Sequence, residues 1–162
     1  MSVPIVIAGT TFNYPTSGES PNWAEEASAF AVAVGEVLNT LLAPGDILQT
    51  SFTIDNNISS ETNINGLLFD SGIVRAANIT YAVYRTSTSN PSGYAETGSI
   101  YIVFDDSAID DNKWKITQST NGSSGVILTM DHNGQFKYKS SDIGSAGYSG
   151  LIKFSARTLS KI

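Results

Sequence analysis

Cysteine is absent from this 162-residue sequence, and with it go disulfides, thiolate chemistry and cysteine-ligated zinc, so stability must come from burial and assembly. Charge is scarce as well: Asp, Glu, Lys and Arg make up 15% of the chain, against roughly 25% in ordinary soluble domains. Much of the surface must therefore be Ser, Thr, Asn and Gly. The basic sign is the scarcer one, with nine scattered Lys and Arg against fifteen Asp and Glu and a net charge of −6. Neutralising phosphates needs clustered cations, so nucleic acid is not an expected partner. No stretch approaches the roughly 20 apolar residues that span a bilayer, because even the most apolar segment carries Glu36, and no membrane partner is expected. One histidine, His132, is present, and GxSxG, HExxH and phosphate-binding glycine loops are missing. The expectation is a protein that is not an enzyme and uses no cofactor or metal.

What the sequence does have is one apolar helix ahead of a long run of strands and turns. Residues 23–42 read as the helix: Pro21 suits a first helical position, Asn22 with Glu25 resembles a capping box, and Ala43-Pro44-Gly45 supplies the stop. Trp23, Ala27, Phe30, Val34, Val37 and Leu41 are spaced 4, 3, 4, 3, 4, the a/d spacing of a heptad, and Ala24, Ala31 and Leu38 add a second stripe. These first six are the candidate oligomer interface. Either the a/d stripe packs on the chain's own sheet and nothing more, or one stripe meets that sheet and the other meets symmetry mates about a threefold axis. Gly35 costs about 1 kcal/mol in a helix, which points to a close neighbour there.

The length fits one domain with a sizeable core, divided into a strand and loop over 1–21, a helix over 22–43 and a β-sandwich over 44–162. An apolar run at 3–8 lacks a basic flank and is too short for a signal-peptide core, so it reads as a strand in a chain that folds in the cytoplasm of the producing cell. Residues 9–21 read as a loop. Beyond the helix the period falls to 2: residues 47–54 alternate, with Leu48, Thr50, Phe52 and Ile54 on one face. Residues 63–70 and 73–85 follow, the latter with Ile79, Tyr81 and Val83 opposite Tyr84, and 86–93 reads as a plain loop. The run 98–105 is nearly continuous in apolar residues and reads as a strand buried on both faces. Further strands are expected at 114–118, 125–131, 135–140 and 148–159. Asn121-Gly122 and Asn133-Gly134 signal type I′ hairpins that would join three strands into a meander. The fold class is mainly β: an antiparallel β-sandwich, jelly-roll-like, with one N-terminal α-helix.

Candidate chemical sites are few. His132 lies in a turn, where a lone imidazole has no convergent partners. The acids Asp105, Asp106, Asp110 and Asp111 are the one plausible cation trap, and they read as a solvated loop guarding a sheet edge. Tyr81, Tyr84, Tyr94, Tyr101, Tyr138 and Tyr148 offer either cross-strand packing or a sugar-binding surface of exposed rings.

The segments FNYPTSGESPNWAEEASAFAVAV and APGDI, then VRAANITYAVYRT, GSIYIVF, KWKI, GVILTMDHNGQFKYKSSDI and GLIKFSARTL, resemble a group of virion structural proteins of tailed bacteriophages. The likeness runs from Phe12 to Leu159, and its motifs are structural. It implies a virion location after assembly in the host cytoplasm, with head and tail both open, because this β-domain occurs in stand-alone virion proteins and in the distal parts of fibres. A helix of about 30 Å leaves no room for a fibre shaft. That favours a capsid-decorating, cement or short head-fibre protein that stabilises the particle as a homotrimer, with itself and virion proteins such as the major capsid protein as partners. The alternative is a tail-fibre or baseplate module that contacts host surface glycan.

Overall fold

A computed structural model describes residues 3–7, 10–14, 23–40, 43–109 and 112–161. The chain falls into two compact units, Met1–Ala43 and Pro44–Ile162.

In the first unit, β1 (Val3–Ile7) and β2 (Thr10–Tyr14) form an antiparallel pair running from Val3 opposite Tyr14 to Ile7 opposite Thr10. Residues 10–14, expected as part of a loop, are thus a strand. Their β-branched and aromatic side chains suit a pleated partner for 3–7, and the flanking Gly, Pro and hydroxyl residues hid that. Helix α1 spans Trp23–Thr40 and lies against both strands.

The second unit holds eight strands: β3 (Ile47–Thr53), β4 (Ile58–Leu68), β5 (Val74–Ser87), β6 (Asn90–Phe104), β7 (Trp114–Gly122), β8 (Val126–Met130), β9 (Gln135–Ser140) and β10 (Ser149–Ser160). They form two antiparallel sheets, ordered β3-β10-β5-β6-β7 and β4-β9-β8. The fold is mainly β, an antiparallel sandwich with one N-terminal helix. Between the sheets lie Ile79, Ile100, Ile152 and Phe154 from the larger and Ile64, Phe136 and Tyr138 from the smaller, all buried. Phe136 meets Phe69 edge-on at 6.1 Å between ring centres, and Tyr138 meets Phe52 in the same way at 6.0 Å. Such edge contacts add to the area each ring buries.

Four expectations change on folding. The run 98–105 lies within β6 and is buried on one face only: Ile100, Ile102 and Phe104 point inward, while Tyr101 and Val103 are exposed. Leu48 is exposed and does not share the face of Thr50, Phe52 and Ile54, because Leu48 and Gln49 together face Ser155 between the Phe154–Thr50 and Ala156–Ile47 pairs, and this bulge flips the alternation. The expected loop 86–93 is the tip of the β5–β6 hairpin, where Pro91, Ser92 and Gly93 form a bulge opposite Thr86. A bulge at a strand start is where a missing N–H and a positive φ are tolerated.

The fourth concerns the meander. β7 and β8 lie in different sheets, so Asn121-Gly122 makes no hairpin. Gly122 (φ 89°) still pairs with Glu96, and Ser123 N–H then bonds Ala95 O at 3.0 Å as the chain leaves for the other sheet. Of these three strands β8 and β9 alone form a hairpin, and its turn is not type I′: Gly134 has φ 87°, whereas Asn133 is not in the positive region. This is a three-residue loop with glycine in the left-handed position.

Candidate functional surfaces

Of the six candidate interface residues on α1, Ala27, Phe30, Val34 and Val37 are half-buried. The helix places Trp23 on the same stripe, and Leu41 lies outside the described residues. In the second stripe Ala31 is exposed, as is the neighbouring Val32. A methyl group built on Gly35 would meet nothing within 4 Å among the described residues, so the expected neighbour is not supplied there.

The six tyrosines separate. Tyr81 and Tyr138 are core residues. Tyr84, Tyr94 and Tyr101 are exposed. Tyr148 belongs to a buried polar cluster that the sequence reading missed, centred on Arg85. Arg85 is 0% exposed, and among the described residues no carboxylate pairs with its guanidinium. Its Nε donates to Tyr148 Oη at 3.1 Å, Nη1 to Ser124 O at 2.8 Å and Ser141 Oγ at 3.3 Å, and Nη2 to Asn56 Oδ1 at 3.0 Å and Ser141 O at 2.6 Å. All five N–H donors are thereby used. A countercharge stands one amide further out, where Asp142 Oδ1 accepts from Asn56 Nδ2 and Gly144 N, both at 2.8 Å. These bonds, the Gly144 amide first, hold the Asp142 carboxyl below the usual range.

Ser124 links this cluster to a second one. Its amide and hydroxyl donate to Glu96 Oε2, whose other oxygen accepts from Tyr81 Oη at 2.7 Å, and Gln118 Nε2 donates to the same phenol at 2.6 Å. Burial first, then the bond to Glu96, pushes the Tyr81 phenol well above its ordinary range. The arrangement can hold loops and a proton in fixed places. It fastens the segments around residues 56, 124 and 141 to the inward face of β5 and β6.

His132 is exposed at the β8–β9 turn. Asp131 organises that turn: Oδ1 accepts from Asn133 N at 2.9 Å and Gln135 N at 3.1 Å, and Lys137 Nζ lies 3.0 Å from Oδ2. Partial burial pushes the Asp131 carboxyl up, but Lys137 and the two amides outweigh it, and its pKa lies below the ordinary aspartate value. A depressed folded-state pKa contributes stability that is present above the unfolded value and is lost as pH falls through the folded one. Asp131→Asn is expected to lower the neutral-pH Tm and to flatten its acid-side decline, as read from melting curves between pH 2 and 7 at about 1-unit steps. An unchanged acid limb would assign that decline to other carboxylates.

Asp110 and Asp111 of the acidic cluster lie outside the described residues. Asp105 accepts the Ser107 hydroxyl and amide at 2.6 and 3.0 Å, the hydroxyl bond being the main cause of its lowered pKa. Asp106 pairs with Lys161 at 3.0 Å and Arg75 at 3.4 Å. Among the described residues no group of three or more His, Cys, Asp or Glu is placed to hold a metal ion.

An open feature of the second unit is the outer face of the five-stranded sheet. Along β5 its floor is Asn78, Thr80 and Ala82, ending at Tyr84. β10 lines one side with Leu151, Lys153, Ser155 and Arg157, and β6 the other with Ala95, Thr97, Ser99 and Tyr101. β7 continues the face with Asn121, Ser119, Thr117 and Lys115. A shallow depression of about 590 Å³ lies between Tyr84, Lys153, Thr97 and Asn121. A second, of about 390 Å³, lies beside Tyr101, Arg157 and Leu159. No outward strand position of β5, β6, β7 or β10 on this face carries Asp or Glu. The Glu96 carboxylate beside the first depression is turned inward onto Tyr81 and Ser124.

No protein-family model matches the chain, and no curated protein does. Among solved structures the chain is similar to the tailspike protein of Acinetobacter phage vB_ApiP_P1, with a TM-score of 0.39 and 8% identity over 69% of this chain and 22% of that one. It is also similar to the tailspike protein of Acinetobacter baumannii phage AM24, with a TM-score of 0.32 and 13% identity over 72% of this chain and 26% of that one. The chain therefore spans roughly a quarter of the length of either tailspike.

Proposed function

We propose that the chain is a structural protein of a tailed-phage particle, a capsid-decorating or short head-fibre protein that assembles as a homotrimer through its N-terminal unit. The family resemblance of the sequence supports the virion assignment. The observation that carries the assembly is the state of the first unit. A unit of 43 residues without cysteine is near the limit below which disulfides, metals or oligomerisation are needed. The a/d stripe of α1 is half-buried at Ala27, Phe30, Val34 and Val37. Completing the burial of such a stripe contributes about 1.5–3 kcal/mol per large apolar side chain. A helix of 18 residues is too short to hold a coiled coil unaided, so β1 and β2 must join the contact. Among the described residues nothing lies within 4 Å of a methyl built on Gly35, which leaves room for a neighbouring backbone.

Light scattering of the purified chain is expected to give three times the 17.2 kDa mass at micromolar concentration. Phe30→Asp is expected to give a folded monomer, since a carboxylate cannot enter the seam without several kcal/mol of desolvation. Particles lacking the protein should burst at lower temperature and recover with added wild-type chain but not with Phe30→Asp. A wild-type chain that stays monomeric at every concentration overturns the trimer. Equal bursting temperatures overturn the stabilising role.

A further inference from the structure

The geometry points to the outer face of the five-stranded sheet as a binding site for an acidic polysaccharide, a function beyond particle assembly. Three observations carry it. The first is charge. In a chain of net charge −6, the outward positions of β5, β6, β7 and β10 carry Lys115, Lys153 and Arg157 and no acid. Arg157 is paired with Asp46 at 2.8 Å, but Lys153 makes no ion pair among the described residues. Around Lys153 the local sign is thus opposite to that of the whole molecule, which favours an anionic ligand and opposes pairing of this face with the same face of a second copy.

The second observation is the lining. Tyr84 presents an exposed ring at one end of the first depression, beside the small side chains of Ala82 and Ala95, with Thr97 and Asn121 as hydrogen-bonding groups and Lys153 across the floor. A pyranose needs these together: an aromatic face for its C–H surface, amide and hydroxyl partners for its hydroxyls, and a cation for a carboxylate. The third is discontinuity. The row Ser155–Thr80–Ser99–Ser119 crosses the middle of the face and separates the apolar patch at Tyr84 and Leu151 from that at Tyr101 and Leu159. A protein partner wants one contiguous apolar centre. Two ring-bearing depressions, separated by six residues of β5 and hence about 20 Å, instead suit an extended polymer lying along the strands.

In this assignment Lys153 takes a uronate or sialate carboxylate, Tyr84 stacks on the same residue, Asn121 and Thr97 bond its hydroxyls, and Tyr101 meets a later sugar. The test is titration calorimetry of the full chain with polygalacturonate, polysialate and hyaluronate, with dextran as the neutral polymer and poly-glutamate as the non-sugar polyanion. At least one acidic polysaccharide is expected to bind, more weakly as salt rises, with dextran and poly-glutamate silent. Lys153→Gln and Tyr84→Ala are each expected to weaken binding about tenfold. Both side chains are exposed, so circular dichroism should show the variants folded. Silence with all three acidic polymers overturns the proposal, as does binding that survives both substitutions. Equal binding of poly-glutamate overturns it too, since charge alone would then suffice. Light scattering reads the trimer separately, so either result can fail without the other.

Discussion

Arg85→Met should lower the stability of the sandwich by about 3–5 kcal/mol, a large share of the roughly 5–15 kcal/mol that holds a typical domain together. The opposite expectation has a physical basis, because exchanging buried ions for apolar residues of similar size is often neutral. What decides between them is what remains after the exchange. In those exchanges the partners leave together, whereas here every acceptor stays: Ser124 O and Ser141 O lose the guanidinium donors, and Asn56 Oδ1 keeps only the Ile143 amide at 3.0 Å. An orphaned buried polar group costs about 1–3 kcal/mol, and Ser124, whose carbonyl accepts from Nη1, is as fully buried as Arg85 itself. Arg85→Lys should recover little, since an ammonium cannot reach five acceptors arranged for a planar fork. Asp142→Asn should cost far less, because that carboxylate is exposed and its attraction to Arg85 is screened. Guanidinium denaturation at fixed protein concentration reads all three as shifts in midpoint at constant slope. A methionine variant within about 1 kcal/mol of wild type would make the cluster dispensable.

Arg85 also shows where the sequence was legible and where it was not. Its phase was in plain view: Ile79, Tyr81 and Val83 point inward, and a period of 2 puts position 85 on the same face. A charge at an inward position is the signal that could have found it. The partners could not be read, because Asn56, Ser124, Ser141 and Tyr148 come from three separate loops that only the closed sandwich brings together. The helix was legible within a residue or two because its start signals are local. Strand alternation was legible except where pairing changed it, as at Leu48, whose exposure depends on a bulge opposite Ser155. The outer sheet face was hidden by chemistry: Tyr101 and Val103 are apolar enough to read as core, and only the register shows them facing away from it. For the same reason six tyrosines could not be divided into core and surface before their strands were paired.

Gly134→Ala is the second substitution with a large expected effect, and it tests the turn that the sequence misread. Gly134 sits at φ 87°, where an alanine costs about 1–2 kcal/mol. Its added methyl would also collide with the Phe69 carbonyl oxygen and lie 3.2 Å from Trp114 Nε1. The Phe69 carbonyl is backbone, so relief requires moving the chain, and that movement threatens the 3.0 Å bond from Phe69 N–H to Gly134 O. Behind it stand the Phe69, Trp114 and Phe104 rings, packed 5.0–6.5 Å apart between centres. Together these losses predict about 2–4 kcal/mol and a Tm lower by about 10 °C. Asn133→Ala is the informative companion. In a type I′ turn both central residues need positive φ and replacing either is costly, whereas here Asn133 does not need it and its side chain is exposed. Its expected cost is below about 0.5 kcal/mol. Similar losses at 133 and 134 would mean that the asparagine shares the left-handed strain, and the three-residue loop would have to be redrawn as the tight hairpin that the dipeptide alone implies.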